Sequence, residues 1–117
     1  MAKRAAKQAK MISVTEGSGN VFADMGVANP EEELAKAQLA SHIRQAIRRR
    51  RMTQVRAAAL MGLDQPKVSA LMNGRLEGFS SDRLMRLLTS LGQDVEIIIK
   101  AKPRGRDRGH IRVVEAA

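Results

Sequence analysis

The sequence predicts a mainly α-helical domain followed by one short strand. Apolar residues recur at helical spacing in several segments between about residues 30 and 92, whereas the β-branched residues 95–99 have the composition of a strand. Capping residues and glycines divide the helical part into short helices. A chain of 117 residues that is 44% hydrophobic is sufficient for one small core with extensions. We therefore expect four or five helices and a single C-terminal strand.

Charge separates the N-terminal part from the rest. Residues 1–10 contain four basic and no acidic residues, whereas residues 11–35 contain five acidic and no basic residues within a chain of net charge +9. Val21, Phe22 and Met25 form a short apolar patch around Asp24, with nothing local to bury it. We expect residues 1–28 to be a basic tail and an acidic, partly flexible segment that needs a partner surface. The alternative is a solvated linker whose Phe22 folds back onto its own domain.

The first clear helix begins at Asn29. Asn29 is a candidate cap, Pro30 suits the first helical position, and the glutamates that follow favour the positive end of the helix dipole, with Glu32 placed to complete a capping box. The helix should run to about Arg50. Its apolar stripe consists of Leu39, Ile43, Ala46 and Ile47.

Two short helices joined by a tight turn should follow. Thr53 and Asp64 are predicted N-caps, Gly62 stops the first helix, and Pro66 is tolerated in the first turn of the second. The predicted inward positions are Val55, Ala58 and Met61 in the first helix, and Val68 and Leu71 in the second.

A last helix, a strand and a basic tail complete the prediction. Ser80 should cap a helix that ends at Gly92 and carries Leu84, Leu87, Leu88 and Leu91 on one face. Residues 93–101 form the predicted strand, in which Val95, Ile97 and Ile99 are the candidate dimer contacts. A single strand leaves both edges unpaired, so it should pair with its equivalent in a second subunit or with a partner's sheet. Residues 102–117 are expected to be a basic flexible tail.

The two short helices and their flanks contain a set of residue types at fixed spacing: Thr53-Gln54, Gly62-Leu63, Gln65, Val68-Ser69 and Asn73-Gly74. This set resembles the motifs of the phage-repressor (Xre/Cro) family of helix-turn-helix proteins. The resemblance covers residues 39–91 and implies that residues 29–92 are a helix-turn-helix domain that binds double-stranded DNA. Agreement of several residue types at fixed spacing makes the pattern specific.

The resemblance implies two groups of DNA contacts. The base-reading candidates are Gln65, Pro66, Lys67, Ser69 and Ala70, since the second helix of this motif enters the major groove. The phosphate candidates that match the family are Thr53, Gln54, Asn73 and Arg75. Arg56 departs from the glutamate that many relatives carry, and it is a further candidate because it adds positive charge near the DNA backbone. Gln65 can alternatively be a solvated residue, Lys67 a phosphate contact, and Ser69 a residue that bonds its own backbone. The run of four arginines at residues 48–51 can grip phosphate or remain solvated, and we expect at most two of the four to contact DNA.

Composition agrees with a duplex nucleic-acid partner. The chain has 21 basic and 12 acidic residues and a sequence pI near 11.1, which favours a polyanion. No apolar run approaches the roughly 20 residues that span a bilayer. Phe22 and Phe79 are the only aromatic residues, which argues against stacking on single strands. A basic RNA-binding component fits the charge but not the helix-turn-helix spacing.

Nothing in the sequence indicates an enzyme. His42 and His110 are the only histidines, and no cysteine is present to act as a nucleophile. No glycine-rich phosphate loop follows a strand, and we expect no metal site and no cofactor. We expect His42 to lie on a helix face. The absence of cysteine fits a reducing cytoplasm.

The flanking sequences resemble antitoxins of the HigA kind. The resemblance rests on residues 20–26 before the first helix and residues 92–97 after the last, and it extends the match to residues 19–100. It implies a cytoplasmic homodimer that represses its own operon and neutralises a small basic ribonuclease toxin. The toxin-binding candidates are Val21, Phe22, Asp24 and Met25. The alternative is a stand-alone phage-type repressor with no toxin partner.

Overall fold

The computed structural model describes residues 29–116, and these contain four helices. Residues 35–116 belong to one compact unit, within which all the packing below lies. The predicted toxin-binding residues fall outside the described residues. The helices are α1 (Pro30–Arg49), α2 (Gln54–Met61), α3 (Gln65–Met72) and α4 (Ser81–Ser90).

Helix α1 matches its predicted limits and buried stripe. Three glutamates occupy its first turn and two arginines its last, as the helix dipole favours. Asn29 has a φ of 51°, in the left-handed region, and so does not have the extended backbone that the other N-caps of this chain adopt. The predicted stripe is buried, and the helix also buries Ala35, Lys36 and Ala40.

The next two helices are held by the predicted caps. The Thr53 hydroxyl accepts a hydrogen bond from the Arg56 amide at 3.0 Å, and the Asp64 carboxylate accepts one from the Lys67 amide at 3.0 Å. Gly62 ends α2 with a φ of 67°, a conformation that a β-carbon would strain. The chain therefore turns within three residues from α2 into α3.

Helix α4 closes the core. The Ser80 hydroxyl accepts a hydrogen bond from the Arg83 amide at 3.1 Å, and the Arg83 guanidinium lies 5.2 Å from the centre of the buried Phe79 ring. All four predicted leucines of this helix and its end are buried. They pack in a single cluster with the apolar residues of the other three helices.

The prediction that Val55 faces inward is wrong. Its side chain is 64% exposed, whereas Ala57, Ala58 and Met61 are buried. With about 100° between successive residues of a helix, these three residues define a narrow buried arc, and Val55 lies beyond its edge.

The predicted strand is absent from the part of the chain that the structure describes. Residues 93–103 have no regular secondary structure, and no backbone hydrogen bond joins residues 94–103 to any other described residue. The physical reason is that a strand is stabilised by a ladder of hydrogen bonds to a neighbour, and a single copy of this unit supplies no second strand.

The C-terminal residues contact α1. The Val113 amide donates a hydrogen bond to the Gln38 side-chain oxygen at 3.2 Å, and Val113 packs partly buried against the core. The Glu115 carboxylate pairs with the Arg49 guanidinium at 3.2 Å. Flexibility of residues 102–112 stays a prediction, but the chain after them returns to the domain.

Replacing Leu71 by alanine should lower the free energy of unfolding by about 2–5 kcal/mol, because it removes a fully buried side chain and leaves a cavity. Urea denaturation followed by circular dichroism measures the change. Leu60→Ala is the matched control, since Leu60 is 37% exposed on α2 and its truncation should cost much less. Equal losses for the two variants would show that α3 is not anchored through Leu71.

Candidate nucleic-acid interface

The first turn of α3 presents a polar surface to solvent. Gln65, Pro66 and Lys67 are exposed, whereas Val68 and Leu71, which follow them in the same helix, are fully buried. Pro66 lies in the first turn, where an amide has no acceptor within the helix, so its missing N–H costs nothing. The helix is thus oriented by its apolar side and leaves its polar start accessible.

Ser69 and Ala70 lie further along the helix and are half-buried. The Ser69 hydroxyl is 3.4 Å from the Asn73 side-chain nitrogen, from which it accepts a weak hydrogen bond. No described contact joins this hydroxyl to a backbone carbonyl, so its proton remains available to an outside acceptor. These two residues are therefore less accessible than the three that precede Val68.

The phosphate candidates before the turn lie at the start of α2. Gln54 is the first residue of this helix, and both Gln54 and Arg56 are exposed. Thr53 accepts the Arg56 amide through its hydroxyl oxygen and keeps a proton to donate. Helix starts carry partial positive charge and free amides, so this end of α2 favours an anion.

The phosphate candidates after α3 differ from one another. The Asn73 side-chain amide donates to the Ser69 carbonyl at 2.9 Å, which closes the end of its own helix. Arg75 is exposed, and its backbone amide donates to the Ala70 carbonyl at 2.9 Å. Asn73 therefore has a structural task in addition to any contact with DNA, while no described contact occupies the Arg75 side chain.

Two of the four arginines at residues 48–51 make described side-chain contacts within the domain, and two do not. Arg50 donates from its guanidinium to the Leu91 carbonyl at 3.0 Å, which satisfies a carbonyl at the end of α4. Arg49 bonds the side chains of Gln45 and Glu115. Arg48 and Arg51 are exposed, and no described side-chain contact holds either of them. Arg48 and Arg51 therefore have the side chains that are available for phosphate, and their contact with DNA stays a prediction.

Arg44 is a residue that sequence reasoning missed. Its guanidinium, on a half-buried side chain of α1, donates to the Leu71 carbonyl of α3 at 3.1 Å. Burial first, and then the neighbouring Arg48, lower the pKa of Arg44, but a guanidinium stays charged at neutral pH. The positive charge faces the negative end of the α3 dipole. Spacing could not reveal this contact, because the two residues are 27 positions apart.

His42 lies half-buried on a side of α1. Burial lowers its pKa, the Glu115 carboxylate opposes this shift, and Arg49 adds to it. Within residues 29–116, no three side chains of the metal-binding types cluster around a possible ion. No described helix has the length and hydropathy of a membrane span.

Replacing Arg44 by methionine should destabilise the domain by roughly 1.5 kcal/mol, since the substitution leaves a helix-end carbonyl without its charged donor. Arg44→Lys should restore part of this loss. Arg48→Met is the matched control on the same helix, because the Arg48 side chain is exposed and should change stability little. Thermal or urea unfolding of the three variants checks the order, and a loss at Arg48 equal to that at Arg44 would contradict it.

Comparisons with known proteins agree with this geometry. A family model described as a helix-turn-helix domain matches residues 21–100. A solved structure of a protein named as an XRE family transcriptional regulator is 53% identical to this chain, with a TM-score of 0.70, and the match covers 74% of this chain and 97% of that one. No protein with a curated function matched. The chain belongs to the XRE family of helix-turn-helix, DNA-binding transcriptional regulators.

Proposed function

We propose that this XRE-family regulator is a sequence-specific repressor that reads duplex DNA with the first turn of α3. The observation that carries the proposal is the exposure of Gln65, Pro66 and Lys67 at the start of a helix that buried Val68 and Leu71 hold in place. A helix of this diameter fits the major groove, and its early residues reach base edges. The proposal goes beyond family membership in naming the residues that read the sequence.

Each exposed residue has a distinct chemical capacity in the groove. The Gln65 amide can donate to and accept from one adenine, and the Lys67 ammonium can donate to guanine. Pro66 offers only apolar contact, for example with a thymine methyl group. Ser69 and Ala70 lie closer to the middle of the helix and are half-buried. Only the exposed part of each side chain can contact a base.

The phosphate contacts fix the orientation of α3 in the groove. Thr53, Gln54 and Arg56 flank the start of α2, and Asn73 and Arg75 follow the end of α3. Contacts of this kind position a protein on the duplex without reading its sequence. The net charge of +9 supports a large electrostatic contribution to affinity.

Gln65→Ala should relax base preference at one position of the operator. The preferred duplex is first selected from a random library, and dissociation constants are then measured for it and for its single-base variants at one salt concentration. The substitution should remove about 1–3 kcal/mol of discrimination at one base pair. Arg75→Ala should instead weaken all duplexes alike and reduce the slope of log K against log salt by about 0.9.

The control for the glutamine is another exposed glutamine. Gln93 lies after α4, and Gln93→Ala should change neither affinity nor preference. If Gln65→Ala affects preferred and scrambled duplexes equally, Gln65 does not read a base, although the protein still binds DNA.

The acidic N-terminal segment supports a second, finer proposal. We infer that the protein is a cytoplasmic antitoxin that acts as a homodimer, represses its own operon and neutralises a small basic ribonuclease. Residues 11–35 carry five acidic and no basic residues, and such a segment suits a surface that must itself bind RNA. The family match begins at Val21, before the helix-turn-helix, so the family's shared region includes the apolar patch.

Alanine replacement of the four patch residues should abolish capture of the toxin and leave DNA affinity unchanged. Bait protein on resin is incubated with lysate of the source cells, and the captured protein is identified and tested for cleavage of RNA. The four residues replaced are Val21, Phe22, Asp24 and Met25.

Gln65→Ala provides the reciprocal control, since it should capture the toxin normally and change DNA binding. If the wild-type protein captures no ribonuclease, the stand-alone repressor is the better description. If the patch variant captures as much as the wild type, the toxin is bound elsewhere.

A further inference from the structure

Three consecutive isoleucines lie in water after the last helix. The exposed fractions of Ile97, Ile98 and Ile99 are 74%, 80% and 92%. No backbone hydrogen bond joins residues 94–103 to any described residue. By contrast, Val95 in the same segment packs partly buried against the core. An apolar surface with unpaired amides and carbonyls is a template for a second strand.

The charges around the isoleucines are arranged symmetrically. Two acidic residues, Asp94 and Glu96, lie four and two positions before Ile98, and two lysines, Lys100 and Lys102, lie two and four positions after it. Reversing the direction of the segment therefore exchanges each acid for a base. A segment of this kind complements an antiparallel copy of itself.

We propose that residues 94–102 pair antiparallel with the same residues of a second copy, with the two-fold axis through Ile98. This inference rests on the homodimer in the proposed function and gives that homodimer an interface and a register. Glu96 then lies opposite the partner's Lys100, and Asp94 opposite the partner's Lys102. Opposite charges in directly opposed cross-strand positions stabilise a ladder.

The pairing also separates polar from apolar side chains. Successive residues of a strand point to opposite faces, so the four charged residues share one face with Ile98. The other face carries Val95, Ile97, Ile99 and Ala101, and Val95 already contacts the core. The apolar side of the two-stranded ribbon is thus continuous with the core, as a ribbon needs for stability.

Other arrangements of two copies fit less well. Moving the axis to residue 97 places Glu96 opposite the partner's Ile98, and moving it to residue 99 places Lys100 opposite the partner's Ile98. The second shift also draws Pro103 into the ladder, where it has no amide to donate. Parallel pairing places like charges side by side, which is destabilising.

The segment is also a poor match to DNA. Its two acidic and two basic residues cancel, so it lacks the positive charge that binds a phosphate backbone. A segment with equal numbers of acidic and basic residues also complements a copy of itself better than it complements a strongly basic protein. We therefore assign the surface to a second copy of this chain.

Single cysteines test the register, because the chain contains none of its own. Under mild oxidation without DNA, Ile98→Cys should form a disulfide-linked dimer, since the two copies of residue 98 are directly opposed. Glu96→Cys alone should not, because its two copies would lie four residues apart, roughly 13 Å along the ribbon, beyond the Cα separation of about 4.4–6.8 Å that a disulfide spans. Glu96→Cys mixed with Lys100→Cys should form the mixed dimer.

Equal cross-linking of all three samples, or no more for Ile98→Cys than for Glu96→Cys, would overturn the register. Ile98 and Glu96 are both exposed, so neither substitution threatens the fold and Glu96→Cys reports random collision. Because no DNA is present, this result stands apart from the outcome of the DNA-binding experiments.

Charge reversal provides a second measurement by sedimentation. One variant combines Asp94→Lys with Glu96→Lys, and the other combines Lys100→Glu with Lys102→Glu. Each alone should raise the dimer dissociation constant by at least about tenfold, because four opposed pairs change from unlike to like charge. An equimolar mixture should recover wild-type affinity as a heterodimer. Wild-type dissociation constants for both variants alone, or a monomeric wild-type protein, would reject the proposed interface.

Discussion

Two of the four described helices have eight residues each, and helices of this length do not persist alone in water. Helices α2 and α3 therefore exist because Ala57, Ala58 and Met61 on one, and Val68 and Leu71 on the other, are buried in the common core. The same burial decides which residues remain outside. Val68 and Leu71 hold α3 against the core and leave its polar first turn accessible. The requirement for a core therefore also determines the candidate reading surface.

Some arginines of this chain stabilise the fold, whereas others stay exposed and can bind a ligand. Arg44 in α1 donates to the carbonyl of Leu71, near the end of α3. Arg50, the residue after α1, donates to the carbonyl of Leu91, the residue after α4. Each places a positive charge at the negative end of a helix dipole. The Leu71 carbonyl also accepts the Gly74 amide at 3.2 Å, so Arg44 adds a second, charged donor there. A count of basic residues therefore overstates the charge available to DNA. Exposed cations whose side chains make no described contact, such as Arg48 and Arg75, remain the candidates for phosphate.

The helical part of the fold was predictable because its determinants are local. Thr53, Asp64 and Ser80 cap the helices that they were expected to cap, and Gly62 adopts the left-handed conformation that ends α2. Val55 was assigned wrongly because a buried arc on an eight-residue helix is narrow, and periodicity alone does not locate its edge. The contacts of Arg44 and Arg50 join residues 27 and 41 positions apart, and no local pattern encodes them. The candidate site was also predictable only in part. Residue spacing indicated the exposed start of α3, but it did not indicate that the Asn73 side chain bonds the end of its own helix.

The predicted strand fails for a reason of a different kind. Its residue types and alternation are those of a strand, but strand hydrogen bonds belong to a pair of segments, and one described copy contains a single such segment. The charges around Ile98 complement an antiparallel copy of the same segment, and we propose that such a copy is the missing partner. This arrangement also has a consequence for reading DNA. One α3 helix exposes three residues in its first turn, whereas a two-fold pair doubles that number and matches a pseudo-palindrome with half-sites about 34 Å apart. The acidic and basic residues of the proposed interface pair with one another, so the interface adds no net positive charge that could bind phosphate. The affinity for DNA therefore depends on the helices that also read the sequence.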